Sequence, residues 1–74
     1  MNLENDLKTI FENHRYESFT RSDLVNILVE YYGYTYQLKF SDLSKALRKL
    51  KKEGFVFTYG RKWEKKGGSH EDDA

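Results

Sequence analysis

The sequence predicts an α+β fold that is mostly α: three helices followed by a C-terminal β-hairpin. Three observations predict it. Apolar residues recur at helical spacing in three separate segments. Glycines stand where the second and third of those segments should stop. After the last one, a short run rich in aromatic and β-branched residues folds back across a glycine.

The first helix is expected at residues 3–14, where Leu3, Leu7, Ile10, Phe11 and His14 fall on one side. Asn2 is its expected N-cap, because an asparagine side chain accepts a free amide of the first turn. Glu4 and Asp6 suit the positive end of the helix dipole.

Tyr16-Glu17-Ser18-Phe19 breaks that pattern, with Phe19 a candidate for a short third strand. Thr20 is the expected N-cap of the second helix, and Asp23 three residues on makes a short-armed capping box. Leu24, Ile27, Leu28 and Tyr31 are expected to form its buried stripe, with Val25, Val29 and Tyr32 alongside. So wide a stripe predicts the most buried of the three helices. Gly33 supplies the left-handed residue that ends it.

Residues 34–40 form a connector that has room for a short extended piece. Ser41 is the expected cap of a third helix over 42–53, with Asp42 in its first turn and Leu43, Ala46, Leu47 and Leu50 toward the core. Gly54 then occupies the left-handed position, and Phe55 the position that clasps Leu50 in a Schellman motif.

The hairpin runs Phe55-Val56-Phe57-Thr58, Tyr59-Gly60, Arg61-Lys62-Trp63-Glu64. Two-residue and four-residue loops set Phe57 opposite Lys62. A three-residue loop sets it opposite Trp63 and gathers Phe55, Phe57 and Trp63 on one buried face, so that register is expected. Lys65 onward has two glycines, charges and no large apolar residue. The expected division is a domain over 1–66 and a disordered acidic tail over 67–74.

Composition excludes several function classes. The 74 residues contain no cysteine, so there is no disulfide framework and no thiolate metal site. His14 and His70 lack ligand spacing, which argues against zinc. No apolar run approaches the ~20 residues of a membrane span, and Met1-Asn2-Leu3-Glu4 does not open a signal peptide. The expected location is cytoplasmic: nucleoid-associated, or nuclear in a eukaryote. No nucleophile–base pair, phosphate-cradling glycine loop or metal cluster is visible, so no enzyme, no cofactor and no small-molecule partner are expected.

A net charge of +1 conceals a strong segregation. Residues 1–38 hold three basic against six acidic side chains, residues 39–66 ten against three, and residues 67–74 three acids alone. Such a distribution suits an anionic partner for the middle segment. Taken alone, it suits a solvated, solubilising lysine face equally well.

The element order over residues 3–65, and the run Leu47-Arg48-Lys49-Leu50-Lys51-Lys52-Glu53-Gly54-Phe55-Val56, resemble the winged helix-turn-helix superfamily of DNA-binding proteins. The run resembles the end of a recognition helix entering the first strand of a wing. The connector at 34–40 is longer than the turn of about three to four residues in the simplest such motif. The resemblance implies double-stranded DNA as partner and a role in transcription regulation. Helix 42–53 would then enter the major groove, and wing 55–64 would lie on the backbone or minor groove.

Helical geometry supports the same surface. At about 100° per residue, Lys45, Arg48 and Lys52 fall opposite Leu43, Leu47 and Leu50, with Lys49 at the flank and Ser41 and Ser44 near the helix start. Asp42 and Glu53 lie off that stripe. Arg48 is its one arginine and so the candidate for reading guanine O6 and N7. Ser41 and Ser44 are candidate phosphate donors, and Arg61 and Lys62 form a basic wing tip.

The bland alternatives are a solvated helix exterior and edge-strand protection at Arg61 and Lys62. Phe55, Phe57 and Trp63 offer faces for base stacking but are expected in the core, where so small a domain needs them. Tyr31, Tyr32, Tyr34 and Tyr36 are unusually dense, and 32, 34 and 36 share a face if the connector is extended. They are equally read as half-buried residues with wet hydroxyls, as phosphate contacts, or as the basis of a rival function: a protein-interaction module or subunit, with a homodimer or protein partner on the tyrosine-rich connector. RNA binding by the basic face is a third.

Overall fold

The computed structural model describes residues 2–67. It contains α1 (Leu3–Asn13), β1 (Ser18–Phe19), α2 (Arg21–Tyr31), α3 (Phe40–Lys52), β2 (Val56–Tyr59) and β3 (Lys62–Lys65). The strands form one antiparallel sheet in the order β1-β3-β2. This is the expected α+β class, with three helices and a C-terminal hairpin, and its shape is compatible with a winged helix. The rest of the acidic tail, from Gly68, lies outside the described residues.

Local signals account for most boundaries. The Asn5 amide donates to Asn2 Oδ1 at 3.1 Å, capping α1. Thr20 and Asp23 complete a reciprocal capping box: the Asp23 amide donates to Thr20 Oγ1 at 3.1 Å, and the Thr20 amide to Asp23 Oδ2 at 3.0 Å. Gly33 ends α2 at a φ of 78°. The Phe55 amide donates to the Leu50 carbonyl at 2.9 Å and the Gly54 amide to that of Lys51 at 3.0 Å, the two bonds of a Schellman motif. Gly54 has a φ of 80°, where a β-carbon would be strained.

Leu7, Ile10, Phe11, Leu24, Leu28, Leu43, Leu47, Leu50 and Val56 are each at most 1 % exposed, and they join helices and sheet into one core. Phe19 packs edge-on against Phe11, with ring centroids 5.9 Å apart. It also pairs with Trp63, so the short third strand is present.

Four details differ from expectation. In α2 the buried side chains are Leu24, Val25 and Leu28. Burial of Val25 turns the helix so that Ile27 lies at the edge, and Tyr31, on the last turn, is 76 % exposed. This helix is therefore no more buried than α1, which also buries three residues.

Helix α3 begins at Phe40, because the Leu43 amide already donates to the Lys39 carbonyl at 3.1 Å. Ser41 consequently lies inside the first turn, and the actual cap residue, Lys39, makes no side-chain capping bond. The connector forms no strand.

The hairpin turn is Gly60-Arg61, pairing Tyr59 with Lys62, Thr58 with Trp63 and Phe57 with Glu64. Gly60, at φ 64°, takes the first central position of a two-residue turn, the place a type II′ turn reserves for glycine. That one-residue change of register reverses the facing of β2 and leaves that of Trp63 as expected. Val56 joins Trp63 and Phe19 in the core, while Phe55 and Phe57 are only half-buried. Finally, β3 runs to Lys65, one residue past the expected end of the hairpin at Glu64, and the Lys66 amide donates to the Phe55 carbonyl at 2.9 Å.

Candidate nucleic-acid interface

Because α3 buries Leu43, Leu47 and Leu50 completely, its opposite side must face outward. Ser41, Lys45, Arg48, Lys49 and Lys52 are all exposed there. The turn of the wing exposes Arg61 and Lys62. Among the described residues, no carboxylate makes an ion pair with Lys45, Arg48, Lys52, Arg61 or Lys62.

Two expected members of the surface sit differently. Lys49, on the flank toward α1, lies 3.4 Å from Glu4 and is therefore partly neutralised. Ser44 is buried at 8 % exposure, because it lies on the flank of α3 toward α2. Its Oγ accepts a hydrogen bond from the Arg21 guanidinium at 3.0 Å. An expected phosphate donor is thus an internal anchor for another side chain.

That bond brings into the surface a residue, Arg21, that no sequence pattern placed there. Arg21 opens α2, 23 positions before Ser44, and only the packing of α2 on α3 brings them together. It shares an open cleft with Thr58, Gly60, Arg61 and Trp63 of the wing. The one signal in sequence was a cation immediately after a strong N-cap, which by itself gives no direction. On the same side, Lys51 Nζ donates to Thr58 Oγ1 at 3.4 Å, tying the helix to the first wing strand.

The tyrosines divide. Tyr32 and Tyr34 pack against the core, whereas Tyr31 and Tyr36 are 76 % and 68 % exposed, so 32, 34 and 36 do not share one environment. The Tyr34 hydroxyl donates to Asp6 Oδ2 at 2.6 Å. Burial, the bond to Asp6 and the carboxylate charge together push Tyr34 up to about 12, because each disfavours the phenolate. Phe40 adds a third exposed aromatic at 54 %. Trp63 belongs to the core at 9 % exposure, as its size suggested.

His14 bonds through Nδ1 to Glu17 Oε2 at 2.6 Å. Among the described residues, no group of three or more His, Cys, Asp or Glu could hold a metal ion. No helix among them is long and apolar enough to cross a membrane. No known protein family, curated protein or solved structure matches the chain.

Proposed function

We propose that this protein binds double-stranded DNA as a small transcriptional regulator. In this reading α3 enters the major groove, and the β2–β3 wing lies on the backbone or in the adjacent minor groove. One observation carries it: Lys45, Arg48 and Lys52 on α3, and Arg61 and Lys62 on the wing, are exposed cations with no ion pair to a described carboxylate. With Lys49 and Lys65 matched to acids on the inner flank, the positive charge that remains is concentrated on the outer face of α3 and the wing. Phosphates supply the missing counter-charge, and Arg48 has the planar fork that reads guanine.

The test is duplex affinity across a range of salt concentrations. Each phosphate neutralised contributes about −0.9 to the slope of log K against log salt, so four or five contacts give roughly −3 to −5. Absence of binding, or binding indifferent to salt, rejects the proposal. Preference for structured RNA over duplex in competition redirects it to RNA.

The second reading, a protein-interaction module, is favoured by the exposure of Tyr31, Tyr36 and Phe40, since aromatics are enriched at interfaces. It predicts association that survives high salt and is lost on substituting Tyr31 and Tyr36 by serine.

A further inference from the structure

Between the start of α2 and the wing lies an open cleft of about 360 Å³, lined by Arg21, Thr58, Gly60, Arg61 and Trp63. That is roomy beside the ~30 Å³ share of a single water. Two guanidinium groups and no carboxylate line it. Like charges facing one space repel, and among the described residues neither Arg21 nor Arg61 has an acidic partner. By contrast, Lys8, Lys49 and Lys65 each stand within 4.0 Å of a carboxylate.

The walls are also prepared. Arg21 is held through its bond to Ser44, which is itself buried in the α2–α3 contact. The Thr58 hydroxyl accepts from Lys51 and so keeps its own hydrogen to donate. Gly60 adds no side chain where an oxygen would approach, and a β-carbon built there meets nothing within 4 Å. Trp63 supplies an apolar wall, which strengthens any polar contact beside it.

We propose that this cleft is a phosphate seat, in which Arg21 and Arg61 clamp one phosphodiester of the duplex backbone from opposite sides. The Arg21 fork matches two phosphate oxygens, and the Thr58 hydroxyl donates to one of them. Ser44 is a positioning residue: it touches Arg21 and not the phosphate. The proposal rests on the DNA reading above, and its chemistry is shared with free phosphate, so the experiment separates the two sources.

The full chain, labelled with nitrogen-15, is titrated with inorganic phosphate, with chloride at matched ionic strength as control. Duplex affinity is measured against salt for wild type, Arg21→Gln, Arg61→Gln and Ser44→Ala. Phosphate is expected to move the Trp63 indole and the Thr58 and Gly60 amides at concentrations where chloride does not, and Arg21→Gln to abolish this. Each glutamine variant should lower the magnitude of the duplex salt slope by about one. Ser44→Ala should mobilise the Arg21 side-chain signal and weaken duplex binding at a temperature where wild type and variant are both fully folded.

If wild type binds duplex and both glutamine variants keep its slope, the seat is overturned and the DNA reading stands. If wild type binds no duplex, the DNA reading and the duplex seat fall together. Phosphate-specific shifts at Trp63 then assign the cleft to free phosphate.

Discussion

The two sides of the basic segment are treated differently by the fold. On the side facing α1, cations are matched to acids: Lys49 to Glu4 at 3.4 Å and Lys65 to Glu12 at 4.0 Å, with Glu53 answering Lys8 at 3.8 Å. On the outer side and along the wing, Lys45, Arg48, Lys52, Arg61 and Lys62 have no such partner among the described residues. The charge segregation of the sequence therefore resolves into a paired flank and an unpaired one. The acidic first half does not form a surface set apart from the basic segment. Two of its carboxylates, Glu4 and Glu12, serve as counter-ions for the inner flank of that segment.

The most disruptive way to break this comparison is to remove the wedge that holds both flanks. Leu47, fully buried, should cost about 2–5 kcal/mol on truncation to alanine. Urea unfolding should show the loss, and duplex binding should disappear with the folded state. Next is Arg48→Ala. It is expected to weaken a selected duplex by about 1–3 kcal/mol, relax base preference, and leave stability within about 0.5 kcal/mol. An unchanged ratio of selected to random duplex affinity removes Arg48 from the reading role.

The double change Arg61→Ala, Lys62→Ala should weaken selected and random duplex alike and lower the salt slope by about one to two units. A wild-type slope means the wing tip does not touch DNA. The sharpest comparison is between two lysines on one helix. Lys52→Ala should lower the slope by about one unit, whereas Lys49→Ala, already paired with Glu4, should leave it nearly unchanged. Equal effects dissolve the distinction between the flanks.

The smallest effect at neutral pH belongs to Tyr34→Phe, which deletes the bond to Asp6 at a cost of about 1 kcal/mol. Its pH dependence is diagnostic. The folded protein holds the phenolic proton more tightly than the unfolded chain does. The resulting stabilisation is complete below the unfolded value of 10.0 and is lost as pH rises through about 12. Unfolding midpoints between those pH values should fall less steeply in the phenylalanine variant.

What the sequence disclosed was mainly local. The Thr20–Asp23 box and the Gly54–Phe55 clasp each depend on residues a few positions apart, and both formed as their chemistry required. The outer face of α3 was equally legible, because helical periodicity alone sets Lys45, Arg48 and Lys52 opposite the leucines. The hairpin lies one position from the register that burial of its aromatics favours, because the glycine geometry favours another. With Gly60 first in the turn, the glycine geometry prevailed.

Ser44 and Arg21 were illegible for a different reason. Whether a serine on a helix flank meets water or a neighbouring guanidinium depends on how two helices cross, and no short-range pattern encodes that crossing. The pairing of Lys49 with Glu4 was hidden likewise, 45 positions apart in the chain.

The junction between α3 and the wing has a mechanical consequence. Phe55 is bonded backward through its amide to Leu50 and forward through its carbonyl to the Lys66 amide, both at 2.9 Å. A single residue thus bolts the end of the helix to both ends of the hairpin. Lys8 and Lys65 lie over its ring, 5.7 Å and 4.6 Å from the centroid. Through that residue the span from the exposed face of α3 to the tip at Gly60-Arg61 acts as a gauge, its length set by backbone hydrogen bonds. Adding one residue between Gly54 and Val56 would misalign the gauge while leaving every surface charge in place.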